Sequence, residues 1–379
     1  LKIYKQGEVL KGFDKDFQYE MAGLAGAEFE VYAAEDIYTA DHQVDADGQR
    51  TLYFAKDALV ATVTTDTDGY ATVKNLPLGR YYVKEKNAPD TYVLNTVPEN
   101  VEFAYADQDT AVIEKEISVT DERQKVSITV EKQDAETGNE AQGDATLEGA
   151  VYGLYAREDI VHPDGRTGTI YKKDTLITSL TTDKNGEASV SDLYLGKYYL
   201  KELSAPVGYV LDPTEHDVDC TYEGATVPTV ERTSVCKETV IKQPFQIIKA
   251  ANNGKTDADL LQGVGFSAWL VSDLKIKADE SYDFDSARPV VLTADGQTEM
   301  FTDEKGYARS IPLPYGTYVV RETTSKHNYA PVDDFVVKIT ENHPDTPQTW
   351  RVLLDKEFKA KLKTVSYTHL RAHETELHL

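Results

Sequence analysis

The stretch YYVKEKNAP, residues 81–89, alternates like a half-buried β-strand, yet its inner side ends in a carboxylate. Alternation puts Tyr81, Val83 and Glu85 on one face and Tyr82 and Lys84 on the other. If Tyr81 and Val83 face a core, so does Glu85. Near-copies at 198–206 (YYLKELSAP) and 318–326 (YVVRETTSK) place Glu202 and Glu322 in the same way.

Working outward, the copies belong to a long internal repeat. AGAEFEVYAAEDIYTAD (25–41) recurs as EGAVYGLYAREDIVHPD (148–164) and more loosely as QGVGFSAWLVSDLKIKAD (262–279). A turn follows each: TTDTDGYATV (64–73), TTDKNGEASV (181–190) and FTDEKGYARS (301–310). Glu85 to Glu202 is 117 residues, as is Lys132 to Lys249 in VEKQD (130–134) and IIKAA (247–251). That period is too long for a solenoid and suits a small domain. Short alternating strands broken by Asp-Gly, Asn-Gly and Pro signals, with no long helical pattern, predict an all-β chain of three tandem antiparallel β-sandwich domains. The expected boundaries are 1–122, 123–241 and 242–364. Stretches 35–59 and 157–176 are expected to be surface excursions between strands.

The chain has 379 residues, 40% hydrophobic and 10% aromatic, so it has the apolar content of a globular protein. Its formal charge of −25 leaves no basic stripe for nucleic acid or anionic lipid. No apolar run reaches the length of a membrane span, so no membrane insertion is expected. LKIYK opens directly in strand pattern, which reads as a fragment of a longer protein truncated in its first strand. The last residues, VSYTHLRAHETELHL (365–379), follow no alternation and resemble translated sequencing-adapter read-through. A metal reading of His369, His373 and His378 is discounted on that ground.

Other sites carry weaker signals. A hairpin centred near residue 225 would pair Cys220 near residue 230 and leave Cys236 too far along for a disulfide. DADG (45–48) and DTDG (66–69) lack the ligand spacing of a calcium loop and read as hairpin turns. His42, His162, His216, His327 and His343 are dispersed, without metal-ligand spacing. No Ser/His/Asp order, phosphate loop or thiol nucleophile marks an enzyme. Neither metal nor cofactor is expected.

The glutamates have company at the same inner parity. Each unit opens on a strand whose apolar side ends in lysine: Leu1, Ile3, Lys5; Val126, Ile128, Val130, Lys132; Phe245, Ile247, Lys249. The last strands end Ile117, Val119, Asp121 and Leu353, Asp355. The plain reading is snorkelling strand ends or a buried ion pair. Threefold recurrence favours a chemical alternative, an intramolecular Lys–Asp amide. Burial disfavours charge on both partners, a neutral amine is a nucleophile, and a glutamate can handle the protons. Contact supplies effective molarities of roughly 10⁵–10⁸ M.

Together the first-strand lysine, LEGAVYGLY, TTDKNGEASV and GKYYLKELSAPVGY (196–209) resemble the Cna B-type, SpaA-like prealbumin-fold domains of Gram-positive surface adhesins and pilins. The resemblance covers residues 1–364 and implies prealbumin-like (Ig-like) sandwiches. It implies an isopeptide bond from Lys5 to Asp121 assisted by Glu85, and from Lys249 to Asp355 assisted by Glu322. Domain 2 departs from the pattern: Lys132 and Glu202 are present, but Glu238 stands where the aspartate belongs. No bond, or a salt bridge, is expected there. Domain 3 ends its block TTSKHNY rather than SAPVGY, so its loop after Glu322 is expected to differ.

The function implied is the structural stalk of a surface adhesin or pilin-like protein, extracellular and cell-wall associated. Tension between the termini would pass through the bond and bypass the core. Its partners would be neighbouring domains of a longer chain and an unidentified host or matrix surface ligand. The alternative is a ligand-binding segment using the excursions at 35–59 and 157–176.

Overall fold

The computed structural model describes residues 1–13, 17–41, 43–252 and 259–359. The tail at 365–379 with its three histidines, and His42, lie outside the described residues. Strands dominate, and the described helical elements are two single 3₁₀ turns, Val271–Asp273 and Phe284–Ser286. The chain divides into two compact units. The first holds two sandwiches; the second comprises Gln142–Ala145 and the residues from Val240 onward.

Each sandwich joins a sheet carrying the lysine to a sheet carrying the glutamate. In the first, Glu116–Asp121, Lys2–Phe13 and Phe17–Gly23 lie side by side, with Tyr70–Thr72 also on the first strand. The facing sheet runs Leu59–Thr64, Glu28–Ala33, Gly79–Asn87, Glu99–Phe103. The second pairs Glu187–Leu193, Lys125–Asp134, Thr229–Glu238 with Leu176–Thr181, Val151–Ala156, Gly196–Ser204, Glu215–Cys220. The third centres on Gln246–Asn252 beside Arg351–Glu357, facing the pair Gly265–Leu270 and Gly316–Thr324. Among the described residues pairing is antiparallel with one exception per sandwich: the first and last strands run parallel.

Burial follows the alternation. Lys125–Asp134 alternates half-buried and buried along its length. The first tyrosine of each repeated block, Tyr81, Tyr198 or Tyr318, is buried with its hydroxyl donating to a backbone carbonyl four residues earlier, Pro77, Tyr194 or Pro314. A buried tyrosine hydroxyl needs such a partner, and the tight turn before the strand supplies it. Both excursions fold back as small hairpins, Ile37–Tyr38 with Leu52–Phe54 and Ile160–Val161 with Thr169–Tyr171, pinned by buried Ile37 and Ile160.

The expected hairpin linking Cys220 to Cys236 does not form. Glu215–Cys220 pairs with Gly196–Ser204 in one sheet, whereas Thr229–Glu238 crosses to the other sheet to pair with Lys125–Asp134. Both cysteines are buried and free. Burial pushes their thiols up to about 12 and about 11, so they are inert in the folded state.

Within the first unit, the long hairpin of the first sandwich docks on the second. Arg123, almost fully buried, donates to Glu8 at 2.8 Å, to the carbonyl of Leu193 at 2.9 Å and to the Asp192 carboxylate at 2.6 Å. Its guanidinium lies 4.1 Å from the Tyr194 ring centre. Tyr19 stacks on buried His162, and the Leu10 amide donates to Asp164.

Candidate functional site: a buried lysine and two carboxylates

Three inner-face positions converge in each sandwich. Lys5, Lys132 and Lys249 have fully buried side chains, and such an ammonium survives only if paired. Parallel register sets the partner. Lys5 stands opposite Val119 and Lys249 opposite Leu353, so Asp121 and Asp355 lie two positions further along, on the same face. Lys132 stands opposite Cys236, which puts Glu238 at the same offset.

In the first sandwich Lys5 Nζ lies 2.7 Å from Glu85 Oε1 and contacts Asp121 Oδ1. In the third, Lys249 Nζ lies 2.7 Å from Glu322 Oε2 and contacts Asp355 Oδ1. One wall of each site is a buried ring opposite the glutamate, Phe29 or Phe266, with the lysine nitrogen 5.7 or 5.6 Å from its centre. Burial, opposed by Lys5 and aided by Glu85, pushes Asp121 up to about 7. Asp355 rises to about 6 from burial, against Lys249 and with Glu322. The aspartate is thus the group whose neutral form burial favours in both sites.

Domain 2 is arranged differently. Lys132 Nζ sits 2.6 Å from Glu238 Oε2, while the hydroxyl of Tyr152 donates to Glu238 Oε1. Among the described residues no ion pair joins Lys132 to Glu202. Burial and the Glu238 carboxylate push Glu202 up to about 8, against an amide that donates to it.

Two supporting features were not legible as such. First, the turn written TTDTDG, TTDKNG or FTDEKG holds the lysine's backbone. The amides of Lys5, Lys132 and Lys249 donate to the carbonyls of Gly69, Gly186 and Gly306 at 2.8, 2.8 and 2.7 Å. A Cβ on those glycines would fall 2.5, 2.6 and 2.4 Å from the lysine carbonyl oxygens. The aspartates heading the turns, Asp66, Asp183 and Asp303, each accept two backbone N–H bonds, which rigidify it. What reads as an ordinary Asp-Gly turn is therefore part of the site.

Second, the loop after each glutamate returns an amide to its carboxylate. Asn95, Asp212 and Val332 donate to Glu85, Glu202 and Glu322 at 2.9, 2.7 and 3.2 Å. The expected difference in domain 3 does not extend to this backbone. Thr91, Gly208 and Asn328 all take positive φ (69°, 84° and 69°), six residues after the glutamate. Asn tolerates that region, so KHNY makes the turn that APVGY makes with glycine.

Among the described residues no group of three or more His, Cys, Asp or Glu is placed to hold a metal, and no helix is long and apolar enough to cross a membrane.

The family model of the SpaA prealbumin-like fold domain matches residues 13–122, 126–233 and 245–351. The trypsin-resistant surface T6 protein of Streptococcus pyogenes serotype M6 is 30% identical over 121 residues, 32% of this chain and 19% of that protein. The Bacillus anthracis TIE protein superposes with a TM-score of 0.53 at 22% identity, covering 94% of this chain and 50% of that one, a likeness of fold. BcpA, the major pilin subunit of Bacillus cereus, aligns over 94% of this chain and 99% of its own at 13% identity and a TM-score of 0.32. The chain thus spans about a fifth of the T6 protein and half of the TIE chain.

Proposed function

Because the chain belongs to the SpaA family of prealbumin-like fold domains, three in tandem, we propose that it is a structural stalk segment of a bacterial surface adhesin or pilin-like protein. Intramolecular Lys5–Asp121 and Lys249–Asp355 amides would tie first strand to last in domains 1 and 3. The observation that carries this reading is the contact of a fully buried lysine nitrogen with an aspartate and a glutamate in both sandwiches. The chain acts on itself, once, and is not an enzyme toward other molecules. Its setting is the cell exterior, in keeping with the surface T6 relative.

The chemistry balances without a cofactor. Glu85 takes a proton from Lys5 Nζ, leaving an amine beside the neutral carboxyl of Asp121. Nitrogen attacks the carboxyl carbon, the C–OH bond breaks, Glu85 gives its proton to the leaving hydroxyl as water, and the same carboxylate then takes the surplus proton from the new amide nitrogen. Glu322 serves Lys249 and Asp355 alike. Burial favours the neutral aspartate, and the clamped lysine backbone fixes the approach.

Each bond removes one water, so intact mass should fall by about 18 Da per bond. Two losses, mapped to domains 1 and 3, are expected; an unchanged mass overturns the cross-link while leaving the stalk architecture. The excursions at 35–59 and 157–176 fold back as pinned hairpins, which gives the ligand-binding alternative no separate support.

A further inference from the structure

We propose that Tyr152, together with the longer acceptor Glu238, diverts the second sandwich from cross-linking and leaves it held by non-covalent contacts alone. The assignment rests on the Lys–Asp reading of domains 1 and 3. Phe29, Tyr152 and Phe266 stand at one equivalent place, each opposite the glutamate of its sandwich. The three walls differ by a single hydroxyl, and that hydroxyl donates to Glu238 Oε1.

Three consequences follow from that oxygen and the extra methylene. With Tyr152 on one oxygen and Lys132 on the other at 2.6 Å, both oxygens of Glu238 are engaged by donors. An ionised carboxylate resists attack by an amine. The Lys132 nitrogen in turn lies 3.9 Å from the Tyr209 ring centre, a ring fixed by its hydroxyl bond to Asp134 at 2.9 Å, and a ring face at that distance attracts a cation. An ammonium has no lone pair to attack with. Glu85 and Glu322 each touch their lysine at 2.7 Å, whereas Glu202 makes no such ion pair among the described residues. The proton acceptor is disconnected from the amine.

The test is domain-resolved mass spectrometry on the full chain after proteolysis. Wild type should show a loss of about 18 Da in domains 1 and 3 and none in domain 2. Tyr152→Phe with Glu238→Asp should add a third loss. Glu238→Asp alone should link to well under half that extent. Equal extent removes Tyr152 from the assignment. A folded, protease-resistant double variant that stays unlinked while its neighbours are linked overturns it, as does a wild-type domain 2 already short of one water. If the double variant does not fold, the reverse exchange decides: Phe266→Tyr with Asp355→Glu should erase the domain 3 loss, and its persistence overturns the proposal. No loss in any domain fails the underlying Lys–Asp reading, a result distinct from an unlinked domain 2 between two linked neighbours.

Discussion

Lys5 and Asp121 meet because their strands run parallel and two positions out of step, an offset shared by Lys249 with Asp355 and by Lys132 with Glu238. Replacing Glu85 by Ala should therefore abolish the water loss of domain 1 and leave that of domain 3 intact. The unlinked domain should also melt earlier. A covalent loop of roughly 100 residues is worth about 4.7 kcal/mol on the chain-entropy estimate. Intact mass and calorimetry on the same sample check both.

Gly306→Ala would force a Cβ to within 2.4 Å of the Lys249 carbonyl at a φ of +70°. The steric cost and the left-handed backbone together predict a loss of about 3 kcal/mol in the third sandwich. Bond formation at Lys249 should also slow, visible as residual unlinked mass after refolding.

Thr91 carries a β-branched side chain at positive φ where domain 3 has Asn328. Thr91→Asn should stabilise the first sandwich by up to about 1 kcal/mol, read from the denaturant midpoint. No change would mean that the turn has already relaxed its strain.

How far the site could be read from the sequence follows from the range of its contacts. Strand alternation and the 117-residue period are local or periodic signals, and they place Lys5, Glu85, Asp121 and their counterparts on inner faces. The parallel pairing of first and last strands joins residues over a hundred positions apart and leaves no local mark. Tyr152 sits in a strand where any aromatic would pack, so its hydroxyl's errand to Glu238 is invisible until the two sheets face each other. The TTDTDG turn has ordinary turn chemistry, and only its contact with the Lys5 backbone makes it part of the site. The Cys220 register failed because a strand that changes sheets looks, in one dimension, like a hairpin.

The second sandwich should show its own pH dependence. Glu202 titrates at about 8 against an ordinary 4.5, so its neutral form is favoured by folding. The stability it contributes is complete below about 4.5 and is lost as pH rises through about 8, with a slope approaching about 1.4 kcal/mol per pH unit. Denaturant midpoints reported by exposure of Cys220 and Cys236, both buried in this sandwich, should fall over that window. Glu202→Gln should flatten the profile; an unaltered slope would assign it elsewhere.

Arg123→Ala should uncouple the first two sandwiches. Its loss removes the ion pairs to Glu8 and Asp192 and the donor to the Leu193 carbonyl at a nearly closed junction, for about 2 kcal/mol. One shared calorimetric transition for these two domains should split into two.

The parallel pairing also decides how each sandwich meets a pull on its ends. The chain enters at the base of the first strand and leaves at the top of the last, so opposite forces slide the two strands past each other in shear instead of unzipping them. In domain 2 ten residues of Lys125–Asp134 face ten of Thr229–Glu238, and this ladder must give way as a set. If the second sandwich is unlinked, as proposed, it can yield and re-form where an amide could only hold or break.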